Sequence, residues 1–177
     1  MRRLLKPLKF VLFALLLLFS HYLVLYLLPA PWKFFNIFNL FFVFYIMGWE
    51  KGGIIWLSAL VYFFLELYAL TPFGFFLLPG VISVMAIYIL YMNIFTNRSW
   101  HTALILTGLS AIFNKAIFVM LLALSDFSAL RGRAVWATLL SALGWEIILT
   151  ASLTAGLVFV LSVKTSRFAG ERLKLNL

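Results

Sequence analysis

Residues 8–28 read LKFVLFALLLLFSHYLVLYLL, and this run decides the fold class. As a helix rising about 1.5 Å per residue, it covers the roughly 30 Å hydrocarbon core of a bilayer. Arg2, Arg3, Lys6 and Lys9 lead into it, and Pro29-Ala30-Pro31 ends it, because helix continuation through paired prolines is disfavoured. A basic start followed by an apolar run also fits a secretory signal. The run is longer than the roughly 7–15 residues of a signal's apolar region, and a proline follows Ala30, the one plausible cleavage residue. An uncleaved first membrane helix is the expectation.

The rest of the chain agrees. Of 177 residues, 66% are hydrophobic and 11% charged, where a soluble domain is nearer half apolar and a quarter charged. A soluble fold of this size has too little interior for so much apolar surface, so lipid must cover the remainder. One integral membrane domain over 1–177 follows, with spans near 8–28, 34–49, 54–70, 75–95, 100–124 and 135–163, and a basic tail over 164–177. The second span is short enough to be tilted less than the others or to sit partly in the interface. Pro79-Gly80 predicts a kink or a late start in the fourth, and Ser99 is a candidate cap for the fifth. The fold expected is an all-α polytopic transmembrane bundle of about six helices.

Orientation follows from the basic residues. With the N-terminus inside, ten of the 14 Lys and Arg fall on the inner side: Arg2, Arg3, Lys6, Lys9, Lys51, Arg98, Lys164, Arg167, Arg172 and Lys174. Lys33, Arg131 and Arg133 fall outside, and Lys115 lies within a span. That bias predicts both termini in the cytoplasm. The net charge of +9 is therefore flanking charge on membrane spans, attractive to anionic lipid, and not a nucleic-acid surface. Trp32, Trp49, Trp100 and Trp136 fall at span ends, as interfacial anchors do.

Three ionisable residues fall within predicted spans, where a charge costs about 2.5–3.5 kcal/mol on the insertion scale. Lys115 lies roughly 14 Å from the outer end of helix five and Glu146 roughly 16 Å from that of helix six. The matched depth predicts a Lys115–Glu146 pair, with Asn114 close enough to join by hydrogen bonding. Such a pair is either a substrate or proton site, or polar glue fixing helix register. Glu66 lies nearer its helix end, able to reach the interface or to bond the turn Thr71-Pro72-Phe73-Gly74. His21 and His101 sit at different depths without partners at ligand spacing, so no metal site is expected. Small residues at Ala151/Ala155, Ser152/Gly156 and near Gly108 and Ala111 would allow close helix approach.

Catalytic constellations are missing. Gly108-Leu109-Ser110-Ala111 is a fragment of a nucleophile elbow without its final glycine. The five acidic residues (Glu50, Glu66, Asp126, Glu146, Glu171) are too scattered for divalent-metal chemistry, and without cysteine there is no thiol chemistry. No phosphate-cradling loop occurs. A non-enzyme without cofactor is expected.

From Gly52-Gly53, an apolar run leads to Leu65-Glu66-Leu67-Tyr68-Ala69-Leu70-Thr71-Pro72-Phe73-Gly74, then another apolar helix and the turn Asn97-Arg98. This resembles the MreD family, small rod shape-determining membrane proteins of bacteria. Their pattern is a glycine-containing helix ending in an acid, then a short turn with Pro and Gly. Glu66, Pro72 and Gly74 occupy the matching positions, with Glu where the family usually has Asp. The exit through Pro31 and Trp32 looks similar too. The resemblance covers roughly 50 residues. It implies a scaffold in the bacterial inner membrane, partnered by lipid, a bitopic scaffold protein and wall-synthesis enzymes, with no nucleic acid. The alternative is a substrate-binding S component of an energy-coupling factor type transporter, similar in size and six-helix arrangement. Those often space small residues by four in helix one, and Ala14 and Ser20 here lack that spacing.

Overall fold

The computed structural model of the chain describes residues 5–49, 52–95, 99–125 and 132–174, with side chains described between Phe10 and Val160, Arg133 excepted. The Glu50-Lys51 and Thr96-Asn97-Arg98 turns, the loop holding Asp126 and Arg131, and the side chains of the basic tail lie outside the described residues. Among the described residues all regular structure is helical. Six helices follow in order: α1 (Leu5–Leu27), α2 (Ile37–Trp49), α3 (Gly53–Leu67), α4 (Leu77–Asn93), α5 (Trp100–Ser125) and α6 (Arg133–Lys174). A short 3-10 turn, Trp32–Phe34, joins α1 to α2, and the Ala30–Pro31 peptide is cis.

Three stretches are long and apolar enough to cross a membrane: Phe10–Leu27, Trp100–Ser125 and Ala134–Val160. The other three helices are apolar but shorter, at 13, 15 and 17 residues. The spans expected at 54–70 and 75–95 are thus trimmed around one connection, Tyr68 to Phe76. Gly74 there takes φ +102°, a left-handed conformation that disfavours side-chain-bearing residues. The Leu78 amide bonds the Gly74 carbonyl, so α4 begins just past that turn. Pro79 is the third residue of α4, where its missing N–H costs no intrahelical bond. The proline thus accompanies a late start. At the other end of the chain α6 runs on past the expected 163 to Lys174. Its 42 residues make about 63 Å of helix, roughly twice a bilayer's hydrocarbon core.

The short α2 is the centre of the molecule. It packs against all five other helices and buries Phe38, Phe42, Val43, Ile46 and Met47. Around it lie Ala14 and Leu17 of α1, Ile54, Leu57 and Val61 of α3, Val84, Ile87 and Tyr91 of α4, and Ala103 and Leu106 of α5. The segment whose length suggested a partly interfacial helix therefore buries one face inside the bundle, while Phe41, Phe44 and Tyr45 stay half-buried and Trp49 is exposed.

Both faces of the outer helices are apolar. On α4 the buried face holds Ser83, Val84, Ile87 and Tyr91, while Leu78, Ile82, Met85, Ile89 and Met92 form an exposed stripe at spacings of four and three. α1 exposes Leu12, Leu15, Leu16, Phe19 and Leu23 in the same way. A helix that is hydrophobic all round needs an apolar surrounding on its outer face, which water does not supply. Of the small-residue pairs, Ala151 and Ala155 are buried inside the bundle, and Ser152 and Gly156 face outward.

Candidate functional site: a polar cavity at one end of the bundle

Polar groups gather where the C-terminal halves of α1, α3 and α5 meet the N-terminal halves of α2, α4 and α6. Asn36 immediately precedes α2 and caps it: its Oδ1 accepts the Asn39 N–H at 3.1 Å, satisfying a free amide of the first turn. Its side-chain amide donates to Glu146 Oε1 at 2.7 Å, and its backbone N–H donates to Thr150 Oγ1 at 3.1 Å. Asn39 adds a second, longer bond to Glu146 Oε1, 3.3 Å, and its own Oδ1 accepts from Ser110 Oγ at 2.8 Å. Lys115 Nζ lies 3.6 Å from the other carboxylate oxygen, Glu146 Oε2. Glu146 thus joins α2, α5 and α6 and sits at the N-terminus of α2, where the aligned peptide dipoles favour a negative charge.

Asn114, expected to join the pair, is on the wall of the adjoining cavity. The amides bonding Glu146 belong instead to Asn36 and Asn39, which sequence reasoning passed over. Two asparagines three apart, in a segment otherwise apolar from Phe34 to Trp49, were the signal available. Polar side chains that close on one helix point to one neighbour.

Glu66 occupies the corresponding place at α4. It is 4% exposed, so the side chain does not reach out to the interface. Its Oε2 accepts the N–H groups of Phe76 and Leu77 at 2.8 and 2.7 Å. Those amides begin α4 and have no intrahelical acceptor. The bonds therefore go to the start of α4, just beyond the Thr71–Gly74 turn. Pro72 and Gly74 form that turn, with the Phe75 N–H reaching the Pro72 carbonyl at 3.4 Å. Glu66 caps α4 directly and Glu146 holds the Asn36 that caps α2, both at the same end of the bundle.

Between them opens a cavity of about 200 Å³. Its polar wall is Lys33, Asn36, Asn114, Lys115 and Glu146, with His21 and Tyr62; Phe34, Phe38 and Phe76 supply aromatic faces. His21 stacks on Phe38 with ring centroids 4.4 Å apart, and Tyr62 meets Phe38 edge-on at 5.6 Å. Among the described residues, three buried polar atoms at this end have no hydrogen-bond partner: His21 Nδ1, Tyr62 Oη and Glu66 Oε1. Tyr62 is held in place by Gly80 of α4, since a Cβ there would overlap its ring.

Compared with known proteins, the chain matches no family model, no curated protein and no solved structure. Among the described residues no three His, Asp or Glu side chains gather as a metal site would need.

Proposed function

We propose that the chain is a non-enzymatic, six-span scaffold of the bacterial inner membrane, of MreD type, working in the cell-elongation machinery that coordinates wall synthesis. The observation carrying this is the Glu66 carboxylate on the Phe76 and Leu77 amides. The residues of the MreD resemblance, Glu66, Pro72 and Gly74, make up one device that turns the chain and starts the next helix. A motif with a folding role suits a protein that acts through shape and surface. The surface suits it too: α1, α4 and α6 present largely apolar faces on which partner helices can pack. The basic inner ends supply attraction for anionic lipid or an acidic partner segment.

The test is a mild-detergent pull-down of the tagged protein from its native membrane. Wall-synthesis enzymes and a bitopic scaffold are expected, and their absence from a preparation that retains other membrane partners would refute the proposal. The polar cavity favours one second reading, the S component of an uptake transporter, because a solute site needs converging polar groups in a concave wall. Recovery of paired ATPases with a second membrane subunit would establish that reading instead.

A further inference from the structure

We propose that the cavity between α1, α2, α3, α5 and α6 is a binding site for a small ligand that carries one oxyanion, a carboxylate or phosphate, on a flat apolar body. Four observations converge on that chemistry, and none depends on the scaffold role.

The first is charge. Lys33 and Lys115 both line the cavity, against the single carboxylate of Glu146. Glu146 is occupied: one oxygen takes two asparagine amides, and the other faces Lys115. The Lys115 side chain is still 35% exposed, so its ammonium has donors to spare. Lys33 stands over the Phe34 ring at 5.4 Å and faces no carboxylate among the described residues. Among the described residues the wall therefore sets two ammonium groups against one carboxylate, and that balance favours an anion over a cation.

The second is the state of the neutral polar groups. Tyr62 is 4% exposed and lines the cavity, yet its hydroxyl has no partner. His21 Nδ1, on the same wall, is also unpartnered. Buried polar groups are paired in the great majority of folded proteins, with protein, water or ligand. Two orphans facing one space point to something that fills it.

The third is shape. About 200 Å³ is less than the roughly 300–1,000 Å³ of drug-sized sites and holds about six or seven waters at ~30 Å³ each. The fourth is the aromatic lining of Phe34, Phe38 and Phe76, with Tyr62 and His21 as amphipathic rings. These surfaces stack a flat body, and water alone would hydrate them poorly.

The oxyanion belongs either to a free solute or to a lipid headgroup entering from the outer leaflet. The experiment uses the full chain in phosphatidylcholine nanodiscs, titrated with benzoate and with phenyl phosphate, and with neutral benzamide as control. Saturable one-site binding of either anion, at least tenfold tighter than benzamide, is expected. Lys33→Met is exposed and tolerable to the fold; it should weaken binding several-fold, and Tyr62→Phe should do the same. A parallel arm replaces part of the phosphatidylcholine by phosphatidylglycerol. If this lipid abolishes benzoate binding in the wild type but not in Lys33→Met, the natural oxyanion is a headgroup. If it does not, the oxyanion is a solute. Absence of saturable anion binding, together with no lipid retained in an anion-dependent way, would overturn the proposal: the cavity would then hold only water. Benzamide binding as tightly as benzoate would overturn it equally.

Discussion

The side-chain amide of Asn36 lies 2.7 Å from a carboxylate oxygen of Glu146, although the two residues are 110 positions apart in the chain. This contact closes α6 onto the start of α2, and it changes what the Lys115–Glu146 pair means. Glu146 is held by three partners on two helices, whereas Lys115 is held by one and is partly open to the cavity. The carboxylate is the hub and the ammonium its edge.

Replacement of the two residues should therefore be unequal. Glu146→Met leaves the partly exposed Lys115 ammonium without its counter-ion and two asparagine amides without their acceptor, and an unsatisfied buried donor costs about 1–3 kcal/mol. Lys115→Met leaves the carboxylate with both amide bonds and should cost clearly less. The double variant Lys115→Met/Glu146→Met removes the stranded charge and should recover part of the Glu146→Met loss, as a coupling between contacting residues requires. Thermal unfolding in detergent gives the order. A double variant no more stable than Glu146→Met would show that the ion pair contributes nothing.

Glu66 gives a prediction of the capping kind. Its carboxylate accepts two amides at the start of α4, and loss of a capping acceptor costs about 0.5–2 kcal/mol, with the charge adding a few tenths at a helix N-terminus. Glu66→Ala should lower the unfolding midpoint, and Glu66→Gln, which keeps an acceptor of the same reach, should lower it by less. Equal losses would mean that the charge, and not the hydrogen bonds, holds α4.

How much of this was visible beforehand differs from residue to residue. The apolar runs and the Lys and Arg bias gave a helical membrane bundle, since helix period and lipid burial depend on local composition. Depth counting brought Lys115 and Glu146 to one level, because a helix converts residue number into distance. It could not find Asn36 and Asn39, whose role depends on α2 lying at the centre of the bundle, and that is a matter of tertiary packing. Ser99 as the cap of α5 was legible, and its Oγ accepts the Thr102 N–H at 3.2 Å. Position alone leaves Glu66 either the interface or the turn Thr71–Gly74, and its partners are the amides two and three residues beyond Gly74, Phe76 and Leu77.

Three glycines test the backbone and the packing: Gly74 in that turn, Gly80 in α4 and Gly144 in α6. Gly74→Ala forces a side chain into a left-handed conformation, at a cost of about 1–2 kcal/mol. Gly80→Ala drives a methyl group into the Tyr62 ring, an overpacking of about 1–3 kcal/mol. Gly144, inside α6, has open space where a Cβ would go, so Gly144→Ala should be neutral or stabilise by about 0.5–1 kcal/mol. Equilibrium unfolding of the three variants should separate them in that order of sign. A stable Gly80→Ala protein would show that Tyr62 moves freely and that the cavity is not fixed in shape.

The number of crossings can be measured directly because the chain has no cysteine. Introduced singly, Lys33→Cys marks the connection between α1 and α2, and Asn176→Cys marks the C-terminus. The three short helices decide the count: at 13, 15 and 17 residues they span about 20–26 Å against a core of roughly 30 Å. Their flanking connections must supply the rest of the thickness. If all three cross, a membrane-impermeant maleimide applied to intact spheroplasts should label Lys33→Cys and spare Asn176→Cys until the membrane is opened. Labelling of both from outside would mean an even number of crossings after Lys33, four in place of five, and would place a short helix on the surface. The central packing of α2 argues against that helix being the one, since it contacts all five other helices and buries Phe38, Phe42, Val43, Ile46 and Met47 among them.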